Sequence, residues 1–136
     1  AVNFIPFTKE ADTMMTYHKN GKPALRCKRV NGMLEGPYIS YYENGQMFEN
    51  ENFMYDENHG RSINYYMDGK VMADVMYDKG EKVGIEKLYY PNGKIHSEQQ
   101  FVLGVAHGNY KEYSAEGKLV LTIQYYDGEI ISVTKN

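Results

Sequence analysis

The glycines of this chain recur at an interval of 24 residues, and this spacing limits the folds that the sequence can adopt. A fixed period of this length is typical of repeat proteins. The 136 residues suit one domain, so we predict a single repeat domain, 1–136. Its units are 5–28 (degenerate), 29–52, 53–76, 77–100, 101–124 and a partial C-terminal unit, 125–136. The glycine columns are Gly21, Gly45, Gly69, Gly93 and Gly117; Gly36, Gly60, Gly84 and Gly108; and Gly32, Gly80, Gly104 and Gly128, with Asp56 in the vacant position.

Each unit contains two turn signals, which is what a repeated β-hairpin requires. The first turn carries Pro91 in one unit and Glu116 in another. Because proline suits the first central position of a type I turn and glutamate disfavours positive φ, we predict a type I turn followed by a left-handed glycine. The second turn is predicted as a longer polar stretch between paired glycines, at 31–36, 79–84 and 103–108.

The segments between the turns have the length and the chemistry of β-strands. They run for about seven residues and are rich in Tyr, Ile, Val and Met. No helical period of useful length accompanies them. We therefore predict an all-β fold: an open, single-layer, twisted antiparallel meander of repeated hairpins, whose atypical end units cap the array.

The predicted turn also fixes which side chains share a face of the sheet. One tyrosine row lies opposite an aliphatic row on a predicted apolar face, together with Ala73, Val75, Leu121 and Ile123. The opposite face is predicted to be polar, apart from a second tyrosine row with Phe48 and Met72 beside it. The rows are Tyr41, Tyr65, Tyr89 and Tyr113 against Met47, Val71, Ile95 and Leu119 on the apolar face, and Tyr42, Tyr66 and Tyr90 on the polar face.

One segment carries a recognisable family pattern. Residues 36–46 read Gly-x-Tyr-x-x-Tyr-Tyr-x-Asn-Gly-Gln, and residues 60–70 and 84–94 echo them. Over about residues 29–128 the chain resembles the MORN repeat variant (membrane occupation and recognition nexus). Bacterial proteins built from this variant are often labelled YwqK-family antitoxins. The resemblance implies an open single-layer sheet of hairpins, a bacterial source, and a role in binding proteins or lipids rather than in chemistry.

The chain departs from this pattern at four positions. Asp56 replaces a glycine, Ser62 and Glu86 replace a tyrosine, and Ser114 interrupts the paired tyrosines. No toxin partner follows from the residues themselves.

The sequence contains no catalytic signature. His59 and His107 occupy equivalent positions two units apart, about 20 Å by strand spacing, too far to share a metal ion whose ligands lie about 2 Å from it. We predict that both are polar turn residues. The single Cys27 is predicted to be a half-buried structural thiol. We therefore predict a non-enzymatic protein with no catalytic residues, no cofactor and no metal, and exposed strand positions for His18 and His96.

Binding is the function that the pattern favours. Two interpretations of the row Tyr42, Tyr66 and Tyr90 stay open, partner binding and cross-strand packing. Glu49 and Glu51 lie at positions where the other units are largely apolar, and their role also has two interpretations. They pair with Arg26, Arg29 or Arg61, or they recognise a cation on a partner. The candidate partner-binding residues are Tyr42, Tyr66, Tyr90, Phe48, Met72, Glu49 and Glu51.

Charge and composition constrain the partners. A net charge of -3 without a basic stripe disfavours nucleic acid and anionic membranes. We predict an unidentified protein partner, with a lipid or glycan surface as the alternative and a homo-oligomer open through the apolar face and free edge strands. The chain begins with Ala1, which leaves room for a removed signal peptide, so both a cytoplasmic and an exported bacterial protein stay open.

Overall fold

A computed structural model describes residues 11–136, which form thirteen β-strands. The first six residues of the predicted unit 5–28 lie outside the described part of the chain. The strands are β1 (Ala11–Tyr17), β2 (Pro23–Val30), β3 (Met33–Leu34), β4 (Gly36–Tyr41), β5 (Met47–Met54), β6 (Glu57–Asn58), β7 (Gly60–Tyr65), β8 (Val71–Asp78), β9 (Glu81–Tyr89), β10 (Ile95–Val102), β11 (Val105–Tyr113), β12 (Leu119–Tyr126) and β13 (Glu129–Lys135).

All thirteen strands belong to one antiparallel sheet whose order follows the chain. The path runs β1-β2-β4-β5-β7-β8-β9-β10-β11-β12-β13, and the two-residue strands β3 and β6 pair with β2 and β5. The described residues contain no helix. The predicted fold class, an open all-β meander of repeated hairpins, is therefore confirmed.

The first turn of each unit adopts the predicted conformation. In the hairpin of β4 and β5, the Gly45 N–H donates to the Tyr42 carbonyl at 3.0 Å, and the Tyr42 N–H donates to the Gln46 carbonyl at 2.8 Å. Gly45 has a φ of 89°, whereas Asn44 lies outside the left-handed region. This is a type I turn closed by a left-handed glycine, and its backbone hydrogen bonds recur at Tyr66, Tyr90 and Ser114.

The second turn is tighter than predicted. Its two central residues both have positive φ, which defines the two-residue type I′ loop. The prediction of a longer loop was wrong, because the glycines taken as its ends belong to strands. Gly36 and Gly60 begin β4 and β7, and Gly84 and Gly108 lie within β9 and β11. Bulky residues such as Leu103, with a φ of 46°, occupy the first central position, so the usual Asn-Gly signal is missing in most units. The loops are Asn31-Gly32, Tyr55-Asp56, Lys79-Gly80, Leu103-Gly104 and Asp127-Gly128.

A register shift in every complete hairpin changes which residues share a face. In β7 and β8, Tyr65 lies opposite Val71 as predicted, but Asn64 lies opposite Ala73, so Met72 is an extra residue. Tyr65 is two residues from Ile63, which pairs with Asp74, and alternate residues of a strand share a face. Tyr65 therefore lies on the face of Asp74. Equivalent shifts occur in the other complete hairpins.

The predicted assignment of the two tyrosine rows to faces was therefore wrong. We name the two faces after their residues Val75 and Asp74. The row of Tyr41, Tyr65, Tyr89 and Tyr113 lies on the Asp74 face, because a β-bulge separates it from Ala73 and Val75 and their equivalents.

Burial is concentrated on the Val75 face. The buried side chains there are both apolar and polar: Val75 is 7% exposed and Ser62, its cross-strand neighbour, 6%. Within residues 11–136 the buried apolar side chains number three, Cys27, Val30 and Val75. A single layer of strands therefore encloses little hydrophobic core, and other interactions must hold successive units together.

The type I′ loops generate a prediction for stability. Leu103 has positive φ and is 59% exposed, so Leu103→Asn relieves backbone strain without removing a buried contact. We expect the free energy of unfolding to rise by about 1 kcal/mol, measured by denaturant titration. Met67→Asn is the matched control, because Met67 is 58% exposed in a type I turn and lies outside the left-handed region. If both substitutions changed the free energy of unfolding equally, backbone strain at Leu103 would not be the cause of the gain.

Candidate functional site

The second tyrosine row links neighbouring hairpins through its hydroxyl groups. The Tyr42 hydroxyl donates to the Tyr65 carbonyl at 2.7 Å, and the Tyr66 hydroxyl donates to the Tyr89 carbonyl at 2.6 Å. Tyr90 repeats the contact one unit later. His18 occupies the same column in the first unit, and its Nε2 contacts the Tyr41 carbonyl at 2.8 Å. The row therefore acts chiefly in the packing of one unit on the next.

This row lies on the Val75 face rather than on the predicted polar face. The ring of Tyr42 contacts the ring of Phe48 at 4.9 Å between centroids. Burial and then the neighbouring carboxylate of Glu49 raise the pKa of the Tyr42 phenol. Because the bulge sets Phe48 and Glu49 on one side, the predicted aromatic and acidic candidates share one surface.

Two further side-chain links between units escaped the sequence analysis. The Asn44 amide donates to the Met67 carbonyl at 3.0 Å, and Asn92 makes the equivalent contact with Ala115. At the opposite end of the hairpins, the Nδ1 atom of His59 accepts the Lys79 N–H at 3.2 Å. His107 makes the same contact with Asp127 at 3.3 Å. The signal was present in the sequence, since Asn44 and Asn92 occupy one repeat position and His59 and His107 occupy another.

Glu49 and Glu51 lie side by side on the Val75 face. Glu49 accepts a hydrogen bond from Ser40 at 2.8 Å, and Glu51 accepts one from Ser62 at 3.3 Å. Burial raises the pKa of Glu51, and the charge of Glu49 raises it further. Both residues are half-buried, so part of each residue's surface remains exposed to solvent.

The arginines named in the sequence analysis do not pair with these carboxylates. Arg61 makes a bidentate contact with Asp74, with Nη2 and Oδ2 2.8 Å apart, on the opposite face. Arg29 donates to the Gly32 carbonyl at 2.9 Å, and Arg26 pairs in register with Ile39. Over residues 11–136 no ion pair includes Glu49 or Glu51. The expected arginine pairing was wrong because the strand alternation points Arg26 and Arg61 to the other side.

Aromatic rings border the carboxylate pair. The Tyr38 and Phe53 rings lie 5.4 Å apart, and burial followed by the nearby Glu49 raises the pKa of the Tyr38 phenol. Tyr38 therefore remains a neutral hydrogen-bond donor at physiological pH. We call the surface formed by Tyr38, Tyr42, Phe48, Glu49, Glu51 and Phe53 the acidic aromatic surface. Two carboxylates between aromatic rings suit a guanidinium or ammonium group, because carboxylates attract such a cation and so do the faces of aromatic rings.

The remaining candidates lie outside this surface. Tyr66, Tyr90 and Met72 occupy equivalent positions in later units, where Ala73 and Ser97 replace Glu49. Cys27 is 3% exposed, more deeply buried than predicted. In the described part of the chain, no group of three or more His, Cys, Asp or Glu side chains could hold a metal ion. Nor do residues 11–136 include a helix long and apolar enough to span a membrane.

Comparison with known families supports a MORN-repeat protein. The model of the MORN repeat variant matches residues 34–55, 82–102 and 106–127. The hairpin of β7 and β8 lies between the first two matches and has the same register as its neighbours, although Asp56 and Ser62 depart from the pattern. No curated protein matches the chain. MORN repeats are commonly non-enzymatic interaction modules.

We predict that removing one of these tyrosine hydroxyls lowers the stability of the protein. Tyr66→Phe removes one hydrogen bond and leaves the Tyr89 carbonyl without this donor. We expect the free energy of unfolding to fall by about 1 to 2 kcal/mol. Tyr126→Phe is the matched control, because Tyr126 is 65% exposed, and its effect should stay within about 0.5 kcal/mol. If both variants unfold at the same denaturant concentration, the hydroxyl contact does not stabilise the stack.

The raised pKa of Glu51 predicts a pH-dependent stability. The folded protein holds this proton at pH values where the unfolded chain has released it, so stability falls as the pH rises from the ordinary pKa of 4.5 through the raised value. Glu51→Gln removes the penalty at neutral pH, and Gln99 shows that the column accepts glutamine at 8% exposure.

Thermal unfolding provides the measurement. We expect Glu51→Gln to raise Tm above that of the wild type at pH 7 and the difference to vanish well below the ordinary pKa, where the carboxyl is protonated in both states. Glu43→Gln, in an exposed turn, is the control and should change Tm little. A Glu51→Gln gain that persists undiminished in acid would show that charge is not its cause.

Proposed function

We propose that this repeat protein binds another protein by capturing one of its arginine or lysine side chains on the acidic aromatic surface. The observation that carries the proposal is the carboxylate pair itself. Glu49 and Glu51 are half-buried, mutually repulsive and unpaired with any cation within residues 11–136. A partner's cation would offset that repulsion, and the flanking rings would add cation–π attraction.

The position of the pair in the repeat supports recognition rather than folding. The equivalent residues are Ala73 and Val75 in the next unit and Leu121 and Ile123 in the last complete one. These alternatives form the same strands with the same register. Carboxylates at this site are therefore not needed to build the hairpin.

The resemblance to YwqK-family antitoxins supports a finer assignment. In this proposal the chain is bacterial, and its partner is a toxin that it neutralises by occupying a basic part of the toxin surface. Growth rescue on co-expression with a toxic protein encoded beside it tests this assignment separately from binding.

A peptide array tests the binding proposal. Each arginine- or lysine-containing peptide is paired with a version carrying citrulline or glutamine. We expect wild-type protein to retain only the charged peptides, and Glu49→Gln with Glu51→Gln to weaken that binding by about 10- to 100-fold, the value of a charge-assisted hydrogen bond. The matched control is Glu43→Gln with Glu116→Gln, which removes two charges from exposed turns and should bind as the wild type does.

Two parallel measurements separate the alternatives. Liposomes and a glycan array are presented to the same three proteins. The proposal would be overturned if the wild-type protein bound no charged peptide but did bind liposomes or glycans, and if the Glu49→Gln, Glu51→Gln variant bound them equally well. That result would indicate a lipid- or glycan-binding protein. The carboxylates are better probes than Tyr42, Tyr66 or Tyr90, because those tyrosines hold the units together.

A further inference from the structure

Three asparagines precede a glycine in the type I turns, and the side-chain amide of each is bonded through both its oxygen and its nitrogen. In the hairpin of β4 and β5, the Asn44 Oδ1 atom accepts the Gln46 N–H at 2.9 Å, and its Nδ2 atom donates to the Met67 carbonyl at 3.0 Å. Asn20 and Asn92 make the equivalent bonds. Each amide therefore joins its own turn to the turn of the next unit.

An asparagine that precedes a glycine can lose its amide nitrogen through attack by the next backbone nitrogen. Glycine favours the attack because it has no side chain to obstruct the approach. The glycine nitrogen gives up its proton and bonds to the side-chain carbonyl carbon, the carbon–nitrogen bond of the side chain breaks, and the nitrogen leaves with that proton as ammonia. Water then opens the cyclic imide at either carbonyl, which gives an aspartate or an isoaspartate. Water is the co-reactant, and no oxidant or reductant takes part.

The native turn opposes this reaction. The Gly45 N–H donates to the Tyr42 carbonyl at 3.0 Å, which holds the proton that the attacking nitrogen must lose. The Gly93 N–H makes the same bond with Tyr90 at 2.9 Å. The amide, bonded to the next unit, must also turn away from that carbonyl before its carbon meets the glycine nitrogen. Attack therefore requires that the contact between the two turns opens first.

A tyrosine hydroxyl closes the same interface beside two of these asparagines. Tyr42 donates to the Tyr65 carbonyl, in the hairpin that Asn44 contacts. Tyr90 and Asn92 make the same pair of contacts in a later unit. Two side chains of one hairpin thus bond to the backbone of the next, so loss of the tyrosine contact should make the asparagine contact open more often.

We propose that Asn20, Asn44 and Asn92 are sites of spontaneous deamidation, each of which reacts only when its own interface with the next unit opens. Asp68, in the same column, shows the state after the reaction. An ionised carboxylate cannot donate, so Asp68 keeps the bond from the Lys70 N–H at 3.0 Å and gives no hydrogen to the next unit. Because the new carboxylate repels the carbonyl that the amide contacted, the lost link does not form again.

Peptide mass spectrometry on protein incubated at neutral pH measures each site separately. When an interface closes faster than the reaction proceeds, the rate at its asparagine is proportional to the fraction of time that the interface is open. We expect Tyr42→Phe to raise the rate at Asn44 by about 5- to 30-fold, the effect of one lost hydrogen bond on an opening equilibrium. Asn20 and Asn92 should keep their wild-type rates. Tyr90→Phe should raise the rate at Asn92 alone.

Tyr66→Phe is the matched control. It removes the same hydroxyl contact at the interface beside Asp68, where no asparagine precedes the glycine. A general loss of stability would raise the rates at Asn44 and Asn92 in this variant, whereas the loosening of one interface should leave both unchanged. Circular dichroism establishes that the sheet of each variant is intact. Asn31 precedes a glycine in a type I′ loop and does not enter the comparison.

Three results would overturn the proposal. The first is deamidation of Asn44 and Asn92 in the native wild type at the rate found in urea-unfolded chain, because the turn then gives no protection. The second is a Tyr42→Phe variant in which both rates rise together or neither rises, because a single interface then does not control the reaction. The third is an unfolded chain in which these asparagines do not react. These measurements use no partner, so they do not bear on the acidic aromatic surface.

Discussion

Hydrogen bonds from one unit into the backbone of the next are the interaction on which this structure depends. A single-layer sheet cannot enclose a core, and among residues 11–136 the buried apolar side chains are Cys27, Val30 and Val75. Hydrogen bonds at both ends of the hairpins provide the stabilisation between units that a hydrophobic core would otherwise provide. At one end Tyr66 reaches the Tyr89 carbonyl, and at the other the Gly80 N–H donates to the Asn58 carbonyl at 2.8 Å. Each unit is thereby stabilised by its neighbours, as expected of a repeat array.

The need for hydrogen bonds between units explains why tyrosine and asparagine are frequent in this chain. A tyrosine side chain is long enough to cross a neighbouring strand, and its ring covers apolar surface while its hydroxyl reaches a carbonyl. Asparagine accepts a local N–H through its oxygen and donates to the next unit through its amide, as Asn92 does with Lys94 and Ala115. Asp68 retains only the first of these contacts. In that unit the Lys70 ammonium reaches the Pro91 carbonyl at 3.5 Å.

The sequence predicted the repeat, the hairpins and the first turn correctly because each has a local chemical cause. Proline at 91 excludes a type I′ loop, glutamate at 116 disfavours one, and the glycine column supplies the left-handed residue. The bulge at Met72 has no such cause: the extra residue is an ordinary strand former, and one inserted residue reverses the face of everything beyond it. The second turn was misjudged for a related reason, because Leu103 and Lys79 adopt positive φ despite their side chains. Neither the faces nor the acidic aromatic surface could follow from the pattern alone.

The positions that repeat and the positions that vary have different roles in such a protein. A side chain that recurs every 24 residues and bonds to the next unit, such as Tyr42, is constrained by stacking and is poorly suited to distinguish partners. A side chain that departs from its column without disturbing the register is free of that constraint. Glu49 and Glu51 meet this condition, and the bulge that moves Tyr42 and Phe48 beside them turns two separate irregularities into one surface. In the proposed function, partner specificity therefore resides where the repeat is broken, while the unbroken rows build the sheet that presents these residues.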